Sequence, residues 1–135
     1  MVFFTDRDLG KHQFPDVLKA AGINVQRHAD HFADAAPDAV WITEGARRGW
    51  IGLTHDARIR YTPTEKAAVL NSGLRLFVLV GKAPVAELAQ NFVNTRHLVE
   101  AYAARPAPFI ARVYRPSPKD LVAAGVPGRV ESWWP

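Results

Sequence analysis

The 135-residue chain is long enough to bury the core of one domain, and its lack of cysteine excludes disulfides and thiolate metal sites. With 17 lysines and arginines against 13 aspartates and glutamates, it is basic. That balance suits a nucleic-acid partner without assigning one, because many basic proteins bind no nucleic acid. No apolar run approaches the roughly 18 residues that span a membrane. The first residues predict a strand and not a signal peptide, so we expect a cytoplasmic protein with no membrane partner.

Short apolar runs predict five strands, at about residues 2–5, 23–28, 50–54, 74–80 and 109–114. Helical spacing and helix start and stop signals predict helices between them, at about residues 14–21, 38–48, 62–71 and 85–104, with a short one from 117. Strands that alternate with helices favour an α/β fold, a three-layer α/β/α sandwich on a mainly parallel sheet. We expect one domain over residues 1–135, in which 83–135 supply the long helix, an edge strand and a tail.

Two aspartates follow predicted strands that both end in threonine. Asp6 comes directly after Thr5, and Asp56 lies two residues after Thr54. Because ligands bind α/β sheets beyond the carboxyl ends of the strands, neighbouring strands would bring both aspartates into one crevice. Clustered carboxylates repel each other and therefore usually imply a divalent cation. The alternative for each aspartate taken alone is a turn or a helix cap.

A third candidate, Asp38, opens a predicted helix directly after a loop, and Trp41 would anchor that helix to the core. Its alternative role is that of an N-cap. Other acids that could join the site are Asp8, Asp30, Asp34 and Glu44. Glu44 is a weak candidate because it follows Asp38 by six positions, which places it about 120° around an ideal helix.

Basic residues flank these acids, at Arg7, Lys11, Arg47, Arg48, Arg58 and Arg60. Arginines beside a metal-binding carboxylate cluster suit phosphodiester chemistry, in which they hold the adjacent phosphates. Arg47 and Arg48 end a predicted helix, which is a favourable place for cations in any protein. The other four are therefore the expected RNA contacts. The histidines do not have the spacing of a zinc site. The sequence also has no Walker loop and no GxGxxG motif, which disfavours nucleotide cofactors.

Three segments of the chain resemble PIN-domain nucleases, in particular the VapC-like toxins of bacterial toxin–antitoxin pairs. They are Phe4-Thr5-Asp6-Arg7-Asp8-Leu9-Gly10, Pro37-Asp38-Ala39-Val40-Trp41 and Leu53-Thr54-His55-Asp56-Ala57-Arg58-Ile59-Arg60, all within residues 1–82. The resemblance implies a PIN-like fold, acids that hold Mg²⁺ or Mn²⁺, endoribonuclease activity and a cognate antitoxin. By position it implies Asp6, Asp38 and Asp56 as the catalytic, metal-binding acids, with Asp8 and Glu44 as weaker candidates. The family's fourth acid, a glutamate, has no convincing match.

The leading hypothesis is thus a metal-dependent endoribonuclease, and two alternatives stay open. A receiver-like signalling domain, phosphorylated on aspartate, also carries acids after its first and third strands, and Lys82 invites the comparison. Against it, receivers place their lysine after the fifth strand. A catalytically weak PIN-like module that binds RNA or protein is the other alternative. Trp133 and Trp134 must pack on the body or on a partner, and with the long helix they offer apolar surface for a homodimer.

Overall fold

The computed structural model describes all 135 residues. Six strands form one sheet: β1 Phe3–Thr5, β2 Val25–Arg27, β3 Ile51–Thr54, β4 Arg75–Leu79, β5 Phe109–Tyr114 and β6 Arg129–Trp134. The four α-helices are α1 Gln13–Ala20, α2 Asp38–Arg47, α3 Pro63–Ser72 and α4 Val85–Ala103. Short 3₁₀ turns occupy Arg7–Leu9, His28–Asp30, Ala57–Arg60 and Lys119–Val122. The sheet order is β2-β1-β3-β4-β5-β6, and only β6 runs antiparallel to its neighbour.

Helices cover both faces of this sheet, which confirms the α/β/α prediction. Successive residues of a strand point to opposite faces, so Phe3 joins the core under α1 and α4 whereas Phe4 joins the core under α2 and α3. The central strands β1, β3 and β4 are mainly apolar because both of their faces are buried. None of the helices is long and apolar enough to cross a membrane.

Near the end of the chain, strand β6 is one that the sequence analysis did not predict. Antiparallel pairing of β6 with β5 places β5 inside the sheet, so the prediction of an edge strand at 109–114 is wrong. Trp133 and Trp134 are half-buried and pack on the core under α2 and α3. The tail therefore folds onto the body of the protein, as the first of the two predicted possibilities required.

A glycine in β3 fixes the position of helix α2. A Cβ atom at Gly52 would lie 3.0 Å from Cδ1 of Leu76 and 3.1 Å from Cζ3 of Trp41. Only the missing side chain lets the indole of Trp41 lie against the sheet, where it is fully buried and stacks on Phe4 with ring centroids 5.1 Å apart. Because Trp41 belongs to α2, this packing also positions the first turn of that helix.

Candidate active site

The carboxyl ends of β1 and β3 lie side by side at the point where the strand order reverses. In sheets of this kind that switch point is where ligands bind. The hydroxyl of Thr54 lies 2.9 Å from Oδ2 of Asp6 and 3.2 Å from Oδ2 of Asp8. The same hydroxyl accepts a hydrogen bond from the backbone N–H of Asp56 at 3.1 Å. One threonine thus connects three aspartates from two strands.

Asp6 is the most buried acid of the site, with 2% of its surface exposed. Burial, followed by the negative charges of Asp8 and Asp38, raises the pKa of its carboxyl from the usual 3.8 to about 7. Hydrogen bonds from Thr54 and from the backbone N–H of Arg7 work in the opposite direction but do not prevail. Burial also raises the pKa of Asp8. Both carboxyls therefore lie where negative charge is unfavourable unless a cation is present.

Asp38 lies in the first turn of α2, and two side chains fix its carboxylate. Its Oδ1 accepts hydrogen bonds from Arg7 Nη2 at 2.8 Å and from Trp41 Nε1 at 3.1 Å. The side chain does not cap the helix. The other terminal nitrogen of Arg7 donates to the backbone carbonyls of Asp34 and Ala36 at 2.6 Å each. Arg7, expected to contact RNA, thus holds the loop before α2 and the Asp38 carboxylate in place.

Glu65 is an acid of the site that the sequence analysis did not identify. It lies in the first turn of α3, and its carboxyl is within hydrogen-bonding reach of Asp38. Burial first, and then the proximity of Asp38, raise the pKa of Glu65. Thr62, three residues earlier, donates its hydroxyl to the carbonyl of Arg58 at 3.0 Å and does not cap the helix. A hydrogen bond from Thr62 acts against the rise of the Glu65 pKa but does not prevail.

Asp56 borders the same crevice but is more exposed. Its Oδ1 accepts from the backbone N–H and from Nε of Arg58, each at 3.0 Å, and these contacts lower the pKa of the Asp56 carboxyl. Asp56 therefore caps the 3₁₀ turn after β3, and Asp6 in the same way accepts from the N–H of Arg7 at 2.7 Å. Capping and a place in the crevice are compatible, since each carboxylate has a second oxygen.

The remaining predicted acids lie outside this cluster. Glu44 pairs with Arg47 and Arg48 on the outer surface of α2, and those two arginines lower the pKa of its carboxyl to about 2. Asp30 pairs with Arg27 at 2.7 Å. Asp34 is exposed, 3.7 Å from the amine of Lys11. The structure thus brings Asp6, Asp8, Asp38 and Asp56 together with Glu65, and leaves Glu44 apart because its side chain is on a different face of α2.

The four residues predicted to contact RNA differ in how exposed their side chains are and in whether they already bind other parts of the protein. Arg58 is the most exposed, with 86% of its side chain accessible, and Lys11 is exposed at the edge of a small crevice beside Arg7. Arg60 instead donates from Nε to the carbonyl of Trp133 at 3.0 Å and lies over the rings of Tyr61 and Trp133. Arg60 therefore holds the C-terminal strand against the turn after β3.

The donor set fits a hard divalent cation, since every acid of the cluster offers oxygen, and burial together with the charges of Asp8 and Asp38 raises the pKa of Asp6. No three acidic or histidine side chains are gathered around one point at the spacing of metal ligands. Arg7 and Arg58 instead pair directly with Asp38 and Asp56. A metal ion bound here would compete with those two guanidinium groups for the carboxylates.

Comparison with known proteins gives the family of this chain. Residues 1–81 match the model of a PIN-like domain. The chain belongs to the PIN-like domain family. It is also 37% identical over 120 residues to the Mycobacterium tuberculosis protein named "Putative ribonuclease VapC45", covering 82% of this chain and 84% of that relative. No solved structure matches the chain.

Membership of the PIN-like family confirms the resemblance stated from the sequence and supports a nuclease, that is, a hydrolase that acts on phosphodiester bonds. The fold alone would not have distinguished this from a receiver domain, because receivers share the strand order 2-1-3-4-5 of the parallel part of the sheet. The matched residues 1–81 include all five clustered acids.

Proposed function

We propose that this protein is a metal-dependent endoribonuclease, with its active site at the carboxyl ends of β1 and β3. The observation that carries the proposal is the hydroxyl of Thr54, which joins the buried Asp6 to Asp8 in an acidic cluster of a PIN-like domain. The chemistry that Mg²⁺ or Mn²⁺ supplies at such a site is activation of a water molecule and neutralisation of phosphate charge. Asp6, Asp38 and Asp56 would hold the ion, together with Asp8 and Glu65.

The chain's own residues perform the positioning. Thr54 orients Oδ2 of Asp6, and the backbone N–H of His55, 3.1 Å from Oδ2 of Asp8, orients the second carboxylate. Trp41 and Arg7 hold Asp38 on the opposite side. Arg58 is exposed beside Asp56, where its guanidinium can bind a backbone phosphate with two hydrogen bonds. Lys11 would extend this contact along the RNA.

We further propose that the protein is the toxin of a toxin–antitoxin pair in the cytoplasm. The name of its Mycobacterium tuberculosis relative supports this. A cognate antitoxin protein would then bind the toxin and inhibit it, and a homodimer is a further expectation. Expression of the toxin alone should arrest growth, and co-expression of a small protein encoded by the adjacent gene should restore it.

Cleavage of a fluorescent RNA with and without Mn²⁺ tests the enzymatic proposal directly. Asp6→Asn removes one charge with little change of shape and should abolish metal-dependent cleavage. Glu44→Gln removes a charge of the same sign outside the cluster and should cleave like the parent protein. If Asp6→Asn cleaves as well as the parent, the site is wrong. RNA binding by the parent without metal-dependent cleavage would favour a catalytically weak binding module.

A further inference from the structure

A second cavity adjoins the acidic crevice, on the side of the sheet covered by α3. It has a volume of about 390 Å³ and lies between the carboxyl end of β4, the turn after β3 and strand β6, within the range of roughly 300–1,000 Å³ typical of small-ligand pockets. His55 separates the two sites. Its backbone N–H faces Asp8, whereas its ring Nε2 donates to the carbonyl of Gly81 at 2.6 Å and borders the cavity.

The lining of this cavity combines cations with apolar and aromatic surface. Lys82 and Arg112 contribute positive charge, Val78 an aliphatic wall and Trp133 an indole. No carboxylate lines it. The guanidinium of Arg112 lies 4.9 Å from the centre of the Trp133 ring, and the ring thereby holds it in one orientation. The charge of the lining favours an anion, and its apolar part favours a ligand that is only partly charged.

Arg112 gives the second indication of a ligand. Its guanidinium group makes no salt bridge and no hydrogen bond, and its Nε is buried without an acceptor. Arg115, three residues along, pairs with Glu87 in the usual way. A half-buried cation without an acceptor is unfavourable in the free protein, because desolvation is not compensated. An anionic ligand in the cavity would supply the missing acceptor.

We propose that this cavity is a nucleotide subsite for single-stranded RNA, next to the proposed cleavage site. Arg112 and Lys82 bind a backbone phosphate adjacent to the scissile one, and the base of that nucleotide lies against Trp133 and Val78. Unpaired bases pack on aromatic rings and on guanidinium planes, which this lining provides side by side. The inference rests on the proposed ribonuclease function for the identity of the ligand, and on the cavity itself for its chemistry.

Binding of fluorescein-labelled octauridylate in EDTA, followed by anisotropy at several salt concentrations, tests the subsite without catalysis. Lys82→Gln removes an exposed cation and leaves the core intact, and Arg112→Gln removes the orphaned one. Each should weaken binding severalfold and lower the salt slope by about 0.7, the value for one phosphate contact on a single strand. Arg129→Gln is the matched control, since Arg129 is an exposed cation outside the cavity and should leave the slope unchanged.

A direct readout comes from the indole N–H resonance of Trp133, assigned with Trp133→Phe. Adenosine 5′-monophosphate should shift this resonance more than inorganic phosphate does, and the buried Trp50, at the amino end of β3, should not respond. The subsite is wrong if both cavity variants bind octauridylate like the parent, or if Arg129→Gln loses as much affinity as they do. The subsite is also wrong if an octaglutamate peptide binds in the cavity and the nucleotides do not, which would indicate a protein-docking site.

Failure of the subsite and failure of the ribonuclease proposal give different results. If the parent protein cleaves RNA with Mn²⁺ but Lys82→Gln and Arg112→Gln bind RNA as the parent does, the subsite is refuted and the ribonuclease proposal stands. If RNA binding depends on both residues but the parent protein does not cleave RNA, the ribonuclease proposal is refuted and the subsite stands.

Discussion

The hydroxyl of Thr54 lies 2.9 Å from Oδ2 of Asp6, so that β3 fixes the carboxylate that follows β1. The strands are neighbours in parallel register, with Thr5 opposite Leu53, which brings their carboxyl ends to the same level. Thr54 has one proton to donate and two carboxylates within reach, Asp6 and Asp8. It is therefore the residue that sets the orientation of Asp8 relative to the buried Asp6.

Thr54→Val keeps the shape of the side chain and removes that hydroxyl. We expect RNA cleavage to fall by about 10- to 100-fold, as is usual when a group that orients a metal ligand is lost. Thr5→Val is a matched control, because the Thr5 hydroxyl is equally buried but has no hydrogen-bond partner. The control should keep full activity and the same melting temperature or a higher one. Equal activity of the two variants would contradict the role of Thr54.

Glu65→Gln tests the acid contributed by α3. Because its carboxyl faces Asp38 in the crevice, we expect cleavage to fall by at least about 10-fold, the lower end for loss of a metal-orienting group. The midpoint of the Mn²⁺ dependence should rise as well. Glu44→Gln serves as the control, since Glu44 pairs only with arginines of its own helix. If Glu44→Gln reduces activity and Glu65→Gln does not, the fourth acid has been assigned to the wrong helix.

The order of strands and helices could be predicted because both faces of the sheet are buried, which leaves apolar runs separated by glycine and proline. Asp6 and Asp56 could be located by the rule that parallel strands deliver their last residues to one edge. Glu65 obeys the same rule, as the first-turn acid of a helix that starts at that edge, but its spacing from Thr62 is also that of a capping box, so the sequence alone gives it a structural role. Strand β6 could not be predicted because it forms by pairing with β5, a contact between distant parts of the sequence. The local sequence, which contains glycine and proline, is not typical of a strand.

The raised pKa of Asp6 predicts how stability depends on pH in the absence of metal. The folded protein holds this proton up to about pH 7, whereas the unfolded chain releases it near 3.8. Stability linked to Asp6 is therefore complete below pH 4 and is lost as the pH rises towards 7. Since one pKa unit corresponds to about 1.4 kcal/mol, the loss amounts to a few kilocalories per mole. Asp8 and Glu65, also raised, act in the same direction.

Thermal unfolding in EDTA between pH 5 and pH 8 measures this effect. Burial lowers the pKa of His28, which adds stability as the pH rises to about 6.5 in parent and variant alike. The readout is therefore the difference between the two: Asp6→Asn should gain on the parent as the pH rises and melt higher at pH 8. Mn²⁺ should raise the melting temperature of the parent at pH 8 more than that of Asp6→Asn. Asp120→Asn, an exposed change far from the crevice, should follow the parent profile. The lowered pKa of Glu44 acts only below about pH 4.5 and leaves this window unaffected.

Arg58 and Arg60 are two residues apart and should have separable roles. Arg58→Gln removes an exposed guanidinium beside Asp56, so we expect weaker RNA binding and a nearly unchanged melting temperature. Arg60→Gln removes the hydrogen bond to the Trp133 carbonyl and the contacts with two rings, so we expect a lower melting temperature. Anisotropy and thermal unfolding of the two variants distinguish these outcomes. A loss of stability in Arg58→Gln and none in Arg60→Gln would contradict the assignment.

Gly52→Ala should couple stability to activity through helix α2. The new methyl group would press on Trp41 and Leu76 at 3.0–3.1 Å, closer than ordinary packing allows, and overpacking of this kind costs about 1–3 kcal/mol. Because Trp41 Nε1 donates to Asp38, a displaced indole also moves a carboxylate of the site.

Gly45→Ala is the matched control, since its methyl group would lie 3.6 Å from the nearest atom of Trp50. Within a helix that change should stabilise by up to about 1 kcal/mol. Gly52→Ala should therefore lower both the melting temperature and the cleavage rate, whereas Gly45→Ala lowers neither, and equal behaviour of the two would show that Trp41 does not position Asp38.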